Sequence, residues 1–530
     1  MRVWSDFQAR AKTALSGVLR QTCAIAVLVP TSLAAQDQQP LSSIDWLSDS
    51  LAEEAALRPQ RRAQDGSPRG VSVAPVTVTT LDVAAPDGAG LAGSGETGLA
   101  ATLWGPTTTD AIARRLAAWP NESLPAARAA LERLILARLN PPLDGGTPGA
   151  LIVARIDTLL RLGALDQAAA LLREAGTERP ELFRRAFDVA LLQGRENEGC
   201  AQLQASPGIA PSLPVRIFCL ARSGDWSAAA LTLETADALG QLSPLEDALL
   251  ARFLEPEIAE LAPPLPRISM PTPLEWRMLE AIGERQSTAG LPRAFAHADL
   301  RETAGWKSRI EATERLVRSG ALPPERLNTV YRERSAAASG GVWDRVALVE
   351  DLRLALEADR PRAVARALPE AWAAMQAGGL AVPFAEALAP CLVPVALDGE
   401  AALLAHRIAL LSERYEDAAL TPPDGADALS LALARGLPPE PGSWDQRDPL
   451  AAALAAAFAP TPPAPTPRIA GLAETGRIGE ALIEALLIAA RGAEADPGDL
   501  AAALAFLRGA GMEETARRAA LQIHLLRGRA

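Results

Sequence analysis

The rhythm of apolar positions changes once along the chain, near Thr107. Between Gln36 and Pro106 no helical period is sustained. Three apolar islands sit there in polar, Gly- and Pro-rich sequence: "SSIDWLSDSL", the alternating "VSVAPVTVTTLDV" and "TGLAATLWG". After Thr107, helix-length segments with apolar residues at i, i+3, i+4 and i+7 recur to the C-terminus, separated by short Gly or Pro punctuation. That is the period of amphipathic helices, and no run convincingly alternates as a strand. The pattern predicts an all-α chain behind an arm that buries too little apolar area to offset its ordering entropy.

Several elements are legible residue by residue. "TTTDAIARRLAAW" opens with capping residues. "PTPLEW" gives Thr272 as N-cap, Pro273 at the first helical position and Glu275 closing a capping box. "DRVALVEDLRLALEAD" predicts an amphipathic helix through Val346, Val349, Leu352 and Leu356, and "DPLAAALAAAF" a short helix capped by Asp448. In the arm, Ser43 is a predicted N-cap, with Ile44, Leu47 and Leu51 at i, i+3 and i+7, while Pro75 confines the alternating island to an edge. The expected organisation is an export signal over 1–35 and a disordered arm with short hydrophobic motifs over 36–106. A helical-repeat segment follows over 107–255 and a Pro-rich linker over 256–272. A second helical segment covers 273–419, a Pro-rich linker with one short helix 420–467, and C-terminal hairpins 468–530.

A spacing recurs within the helical part. Gly163 stands five residues before Ala168, Gly224 before Ala229, Gly476 before Ala481, Gly511 before Ala516, and Gly194 before Gly199. A glycine ends one helix in the left-handed conformation, and a small residue one turn into the next lets two axes approach. The spacing resembles the tetratricopeptide repeat, whose turn commonly reads Gly, Asp, aromatic, Asp, Glu, Ala. Leu159, Gly163, Ala168, Leu172, Ala175 and Pro180 carry the resemblance over residues 149–182. Around Gly224 it rests on Leu220, Ala229, Leu233 and Ala236, with Gln241 in place of the closing Pro, and around Gly194 on Leu203 and Pro211. It covers about 149–241 and, more weakly, 468–528. Ile156 and Ile217 depart from the family's small residue, and the turns lie closer together than its period of about 34 residues. The resemblance implies an α-solenoid of degenerate tetratricopeptide-like hairpins; the alternative is an irregular all-helical domain. In the repeat register Cys200 lies on the second helix of one hairpin and Cys219 on the first of the next, which implies a disulfide between them.

Composition adds a compartment. Arg2, Arg10, Lys12 and Arg20 precede or flank the short apolar run Cys23–Val29, and Ser32-Leu33-Ala34-Ala35 supplies small residues. This is the layout of a secretory signal cleaved after Ala34 or Ala35, and it predicts a periplasmic protein without an integral span. Removing that segment, which also holds Asp6, takes the formal charge from −12 to −15. Such a surface disfavours nucleic acid and anionic lipid as partners. Cys200, Cys219 and Cys391 remain, enough for one disulfide and one spare thiol.

Candidate chemistry is sparse. The histidines are His297, His406 and His524, none with a metal-ligand neighbour at i+3 or i+4, and His406 reads as a satisfied helix residue. Gly88–Gly93 fits G-x-G-x-x-G formally, but Pro86 before it and "SGETG" after it predict a linker, not a strand–turn–helix phosphate site. No cofactor, metal or catalytic residue is assigned. The expected function is a non-catalytic scaffold or adaptor that binds a protein or peptide of the cell envelope. Its means would be a helical-repeat surface and an N-terminal linear motif, with Ile44, Trp46, Leu47, Leu51 and Trp104 as contact residues. Two other classes remain: a cell-envelope hydrolase on a helical solenoid, and an ice-binding protein. The latter rests on an Ala-rich composition similar to sequences labelled antifreeze-glycopeptide-like, although the chain has no Ala-Ala-Thr array.

Overall fold

The computed structural model describes residues 86–144, 146–257, 262–336 and 340–527. The export segment, Ile44, Trp46, Leu47, Leu51 and the alternating island lie outside the described residues. Within them every regular element is helical, and the one strand-like feature is an isolated parallel bridge between Ala92 and Ala137. No described helix is long and apolar enough to cross a membrane.

The predicted caps form as the side-chain chemistry dictates. Thr108 Oγ1 accepts from the Ala111 amide at 3.2 Å, and Thr272 and Glu275 close a reciprocal capping box on the Pro273–Ala281 helix. Asp448 accepts from the Leu450 and Ala451 amides at the start of Pro449–Ala457. Val346, Val349 and Leu352 are buried along the Val342–Glu357 helix, with Leu356 partly buried beside them.

The recurrent glycines share one hydrogen-bond pattern. Gly163, Gly194, Gly224, Gly476 and Gly511 all have φ between +72° and +89°. In each case the following residue donates to the carbonyl five positions before it: Ala164 to Leu159, Arg195 to Ala190, Asp225 to Leu220, Arg477 to Leu472 and Met512 to Leu507. This bond closes a Schellman turn and satisfies a carbonyl orphaned at the helix end. The small residues that follow are fully buried at Ala168, Ala229, Ala481 and Ala516. At Gly199 a Cβ would stand 2.6 Å from the Phe187 ring, so glycine is what allows that approach.

The buried apolar residues form three clusters. One, over residues 183–282, contains the bonded cysteines Cys200 and Cys219, Cα atoms 5.0 Å apart. Another covers residues 296–411. The third joins the two ends of the described chain: Ile478–Ala490 packs on Thr109–Ala117 and Pro125–Leu136, and Glu513–Leu526 packs on Pro125–Leu136. Ile478–Ala490 is apolar nearly all round, and a helix without a polar face must be covered on all sides. The boundary expected at 468 therefore separates no core. The linker expected over 420–467 also enters that cluster, through Leu429 and Leu433 of an unforeseen helix, Ala428–Arg435, and through Leu454 and Phe458.

The arm requires a larger correction. Residues 86–106, expected to be disordered, are built into the fold as a strap. Asp87 accepts from the Gly149 and Ile152 amides at 2.6 and 2.9 Å and caps the Ala150–Leu162 helix, whose own N-cap residue is a glycine. The buried Arg155 donates to the carbonyls of Ala89, Ile135 and Ala137, tying the strap to the end of Pro125–Leu136. Burial pushes its guanidinium down to about 10, with Asp87 opposing. At Gly90 a Cβ would lie 2.3 Å from the Arg138 backbone nitrogen. Gly90, one of the glycines read as linker signals, thus marks a close backbone approach instead.

Candidate partner-binding cleft

Three segments distant in sequence meet around a cleft of about 840 Å³. The first is the turn into the Pro125–Leu136 helix, with Leu124 fixed by a 2.9 Å bond from its amide to the Ala490 carbonyl. The second is the junction between Pro361–Ala377 and Ala381–Leu392, where Gly379 has φ +67°. The third is the end of Ile478–Ala490 and the short 3-10 turn Gly492–Glu494 after it. Leu124, Ala381, Val382, Leu487 and Leu526 make the wall largely apolar, and the volume lies within the range of about 300–1,000 Å³ usual for ligand pockets.

Arg318 and Arg491 face this cleft. Arg318 closes the Trp306–Arg318 helix and donates through Nε to the Gly378 carbonyl at 2.9 Å. A Cβ on Gly379 would stand 3.0 Å from that nitrogen, so Gly379 leaves the room the guanidinium occupies. Neither terminal nitrogen of Arg318, nor any guanidinium nitrogen of Arg491, has a hydrogen-bond partner among the described residues. Arg293 and Arg315 stand behind Arg318. Burial holds both below the ordinary arginine range, and the positive charge of Arg318 lowers both further. Arg293 meets Glu122 at 2.9 Å, but Glu122 is 79% exposed and its charge is largely screened. Glu494 lines the cleft too, so the lining carries two guanidiniums and two exposed carboxylates, with Arg293 and Arg315 behind Arg318.

Elsewhere three carboxylates close on arginines. Glu196 is held by Arg277 at 2.7 Å, Glu314 by Arg345 at 2.6 Å, and Asp157 by Arg185 at 2.5 Å. The buried Arg128 donates to the Arg318 carbonyl, with Glu132 3.8 Å away. Burial pushes Glu132 up to about 7, opposed by Arg128. Glu386 meets Arg518 at 2.6 Å.

The residues singled out in sequence are placed differently. Trp104, expected to contact a partner, is 3% exposed and packs on the chain's own Gly479, whose amide donates to the Leu103 carbonyl. His297 is buried, its Nε2 2.6 Å from the Gly163 carbonyl, and burial lowers its pKa against that bond. His406 is half-buried, and its Nε2 lacks a hydrogen-bond partner, contrary to the expectation of a satisfied residue. His524 Nε2 lies 2.7 Å from Asp427, which also accepts from the Ser430 hydroxyl at 2.5 Å. Burial would raise Asp427, yet these hydrogen bonds outweigh it and hold the carboxyl well below its usual range. The carboxylate sits in the middle, whereas a nucleophile relay needs the imidazole there, and Ser430 is fully buried. Among the described residues no group of His, Cys, Asp and Glu could hold a metal ion. A further exposed apolar face lies on Trp226–Ala238, where Trp226 is 51% exposed and Leu231 and Leu239 are 65% exposed.

Sequence reasoning missed Arg318 and Arg491. "QAGGLAVP" carried a local sign, since paired glycines before a helix start mark close approach, but nothing local says what approaches. Comparison with protein-family models, with curated proteins and with solved structures returns no match for this chain.

Proposed function

We propose that this protein is a non-catalytic scaffold or adaptor of the cell envelope, exported to the periplasm. On this reading its helical hairpins form a degenerate tetratricopeptide-like array that binds a protein or peptide partner. The cleft around Arg318 and Arg491 is its receptor site, and the segment with Ile44, Trp46, Leu47 and Leu51 is its linear motif. One observation carries the reading. Two guanidiniums that keep terminal nitrogens without hydrogen-bond partners stand on a mainly apolar cleft, in a fold that pairs Glu196, Glu314 and Asp157 with arginines elsewhere. Such groups suit an occupant with acidic and apolar side chains, because guanidinium–carboxylate bonds add directionality to apolar burial. The exposed face of Trp226–Ala238 offers a second protein contact surface.

The test is cross-linking in cells. Tagged wild-type protein, recovered from the periplasmic fraction with Ala35 or Gln36 at its N-terminus, should carry a cross-linked partner. Arg318→Glu with Arg491→Glu should lose that partner at least tenfold while melting as wild type does. Equal recovery from both would remove the cleft from the function.

A further inference from the structure

The cleft has a matching sequence within the same chain. Ser43–Glu54 reads "SIDWLSDSLAEE". It carries Asp45, Asp49, Glu53 and Glu54, no basic residue before Arg58, and the apolar Ile44, Trp46, Leu47 and Leu51. The cleft presents the guanidiniums of Arg318 and Arg491 beside Leu124, Val382, Leu487 and Leu526, with the exposed carboxylates of Glu122 and Glu494 also in its lining. We propose that Ser43–Glu54 docks into this cleft within its own chain, so that the protein occupies its own receptor site until a partner displaces the segment. This rests on the reading of the cleft as a peptide site.

Geometry and tethering favour this occupant over a free one. The strap is anchored from Asp87 to Ala92 at the C-terminal end of Pro125–Leu136, and the cleft lies at the N-terminal end of the same helix. Twelve helical residues at about 1.5 Å each put the two ends about 18 Å apart. Thirty-four residues separate Leu51 from Pro86, a contour of about 110 Å at roughly 3.3 Å each. The segment therefore reaches the cleft with chain to spare. A tether of this kind presents its end at an effective concentration on the order of millimolar, so a contact too weak to hold a free peptide still fills the site. Trp46 is the anchor, since a buried indole dominates such contacts. The carboxylates of Asp45 and Asp49 meet the guanidinium nitrogens that lack partners.

The test uses the full chain and a fluorescein-labelled Ser43–Glu54 peptide. Trypsin reports docking because Arg61 and Arg62 follow the segment closely, the Arg58–Pro59 bond being resistant. Trp46→Ala should speed cleavage there about thirtyfold. It should also open the cleft, so that the labelled peptide binds Trp46→Ala at least tenfold more tightly than wild type. Arg318→Glu should speed cleavage as Trp46→Ala does and abolish peptide binding, and Asp49→Arg combined with Arg318→Glu should restore protection. Equal cleavage and equal peptide affinity in wild type and Trp46→Ala would overturn self-docking. Should wild type sediment as a dimer and Trp46→Ala as a monomer, the segment would be exchanged between copies and the within-chain proposal would be wrong. The cleft reading stands or falls separately. Loss of the cross-linked partner in Arg318→Glu with Arg491→Glu preserves it whatever Trp46→Ala does.

Discussion

Gly479 sits in the first turn of Ile478–Ala490 with the Trp104 ring laid over it. A Cβ at 479 would come within 2.6 and 2.9 Å of ring carbons and 3.1 Å of the Leu103 carbonyl oxygen. Gly479→Ala therefore forces the indole, and the strap behind it, away from the helix. Overpacking of this kind costs about 1–3 kcal/mol. Trp104→Ala alone removes a side chain that is 97% buried and costs about 3–5 kcal/mol. The two together should not add. With the ring gone, the new methyl meets only the Leu103 carbonyl, and alanine improves the helix by up to about 1 kcal/mol over glycine. Gly479→Ala should then change sign, from destabilising in wild type to neutral or stabilising in Trp104→Ala. The coupling should be about 2 kcal/mol, within the range seen for residues in contact.

Urea unfolding of the four variants measures this, read as midpoints at a common slope so that an altered unfolded state is not mistaken for an altered native one. Thermolysin cleavage near Leu99 and Leu103 gives a local readout, because either single change should expose the strap. Strict additivity would refute the reasoning. So would protection of Leu99 and Leu103 that is unaffected by Trp104→Ala, since the strap would then be held without the indole.

Two further outcomes follow. Replacing Cys200 and Cys219 by Ser should lower stability by about 3 kcal/mol for a 19-residue separation, whereas Cys391→Ser at an exposed site should change it little; thiol labelling of the unfolded, unreduced chain from Gln36 onward should find Cys391 alone. Burial pushes Asp188 up to about 7, well above its unfolded value near 3.8, so the native state holds a proton that the unfolded state has lost. Asp188 should make stability fall as pH rises from about 4 to 7, by up to about 4 kcal/mol, with Glu132 adding a fall of the same sign, and Asp188→Asn should remove the Asp188 share of that slope in urea titrations at pH 5 and 8.

What could be read from sequence was local. Thr272 and Glu275 announce a helix start because a cap needs only neighbours three residues apart. Gly163 and Gly476 announce turns because their φ values exclude most side chains whatever lies around them. Burial by periodicity also worked where one face of a helix is covered, as along Val346, Val349 and Leu352. It failed in two physical situations. The first part of the strap is held by Asp87 and by backbone groups meeting Arg155, so residues 86–92 need little apolar sequence, and their composition resembles that of a linker. Ala428–Arg435 is only two turns long, and its neighbours "TPPDGAD" and "LPPEPG" dominate any window drawn over it.

The cleft was illegible for a different reason. Its walls come from residues 118–125, 376–383 and 487–494, brought together only because the last helices close on the first. That closure is encoded in an excess, not in a motif. Ile478–Ala490 carries more apolar surface than one neighbour can cover, and Thr109–Ala117 and Pro125–Leu136 supply the missing cover. Once they meet, Leu124 bonds to Ala490, and Arg318 enters beside them through the space left by Gly379. A charge that would be unremarked at a helix end thus becomes one wall of a cleft. A strap that docks Trp104 on Gly479 already shows how an N-terminal tryptophan can be absorbed by this fold. Trp46, with acidic neighbours that Trp104 lacks, is suited to the arginine-lined site instead of the apolar one.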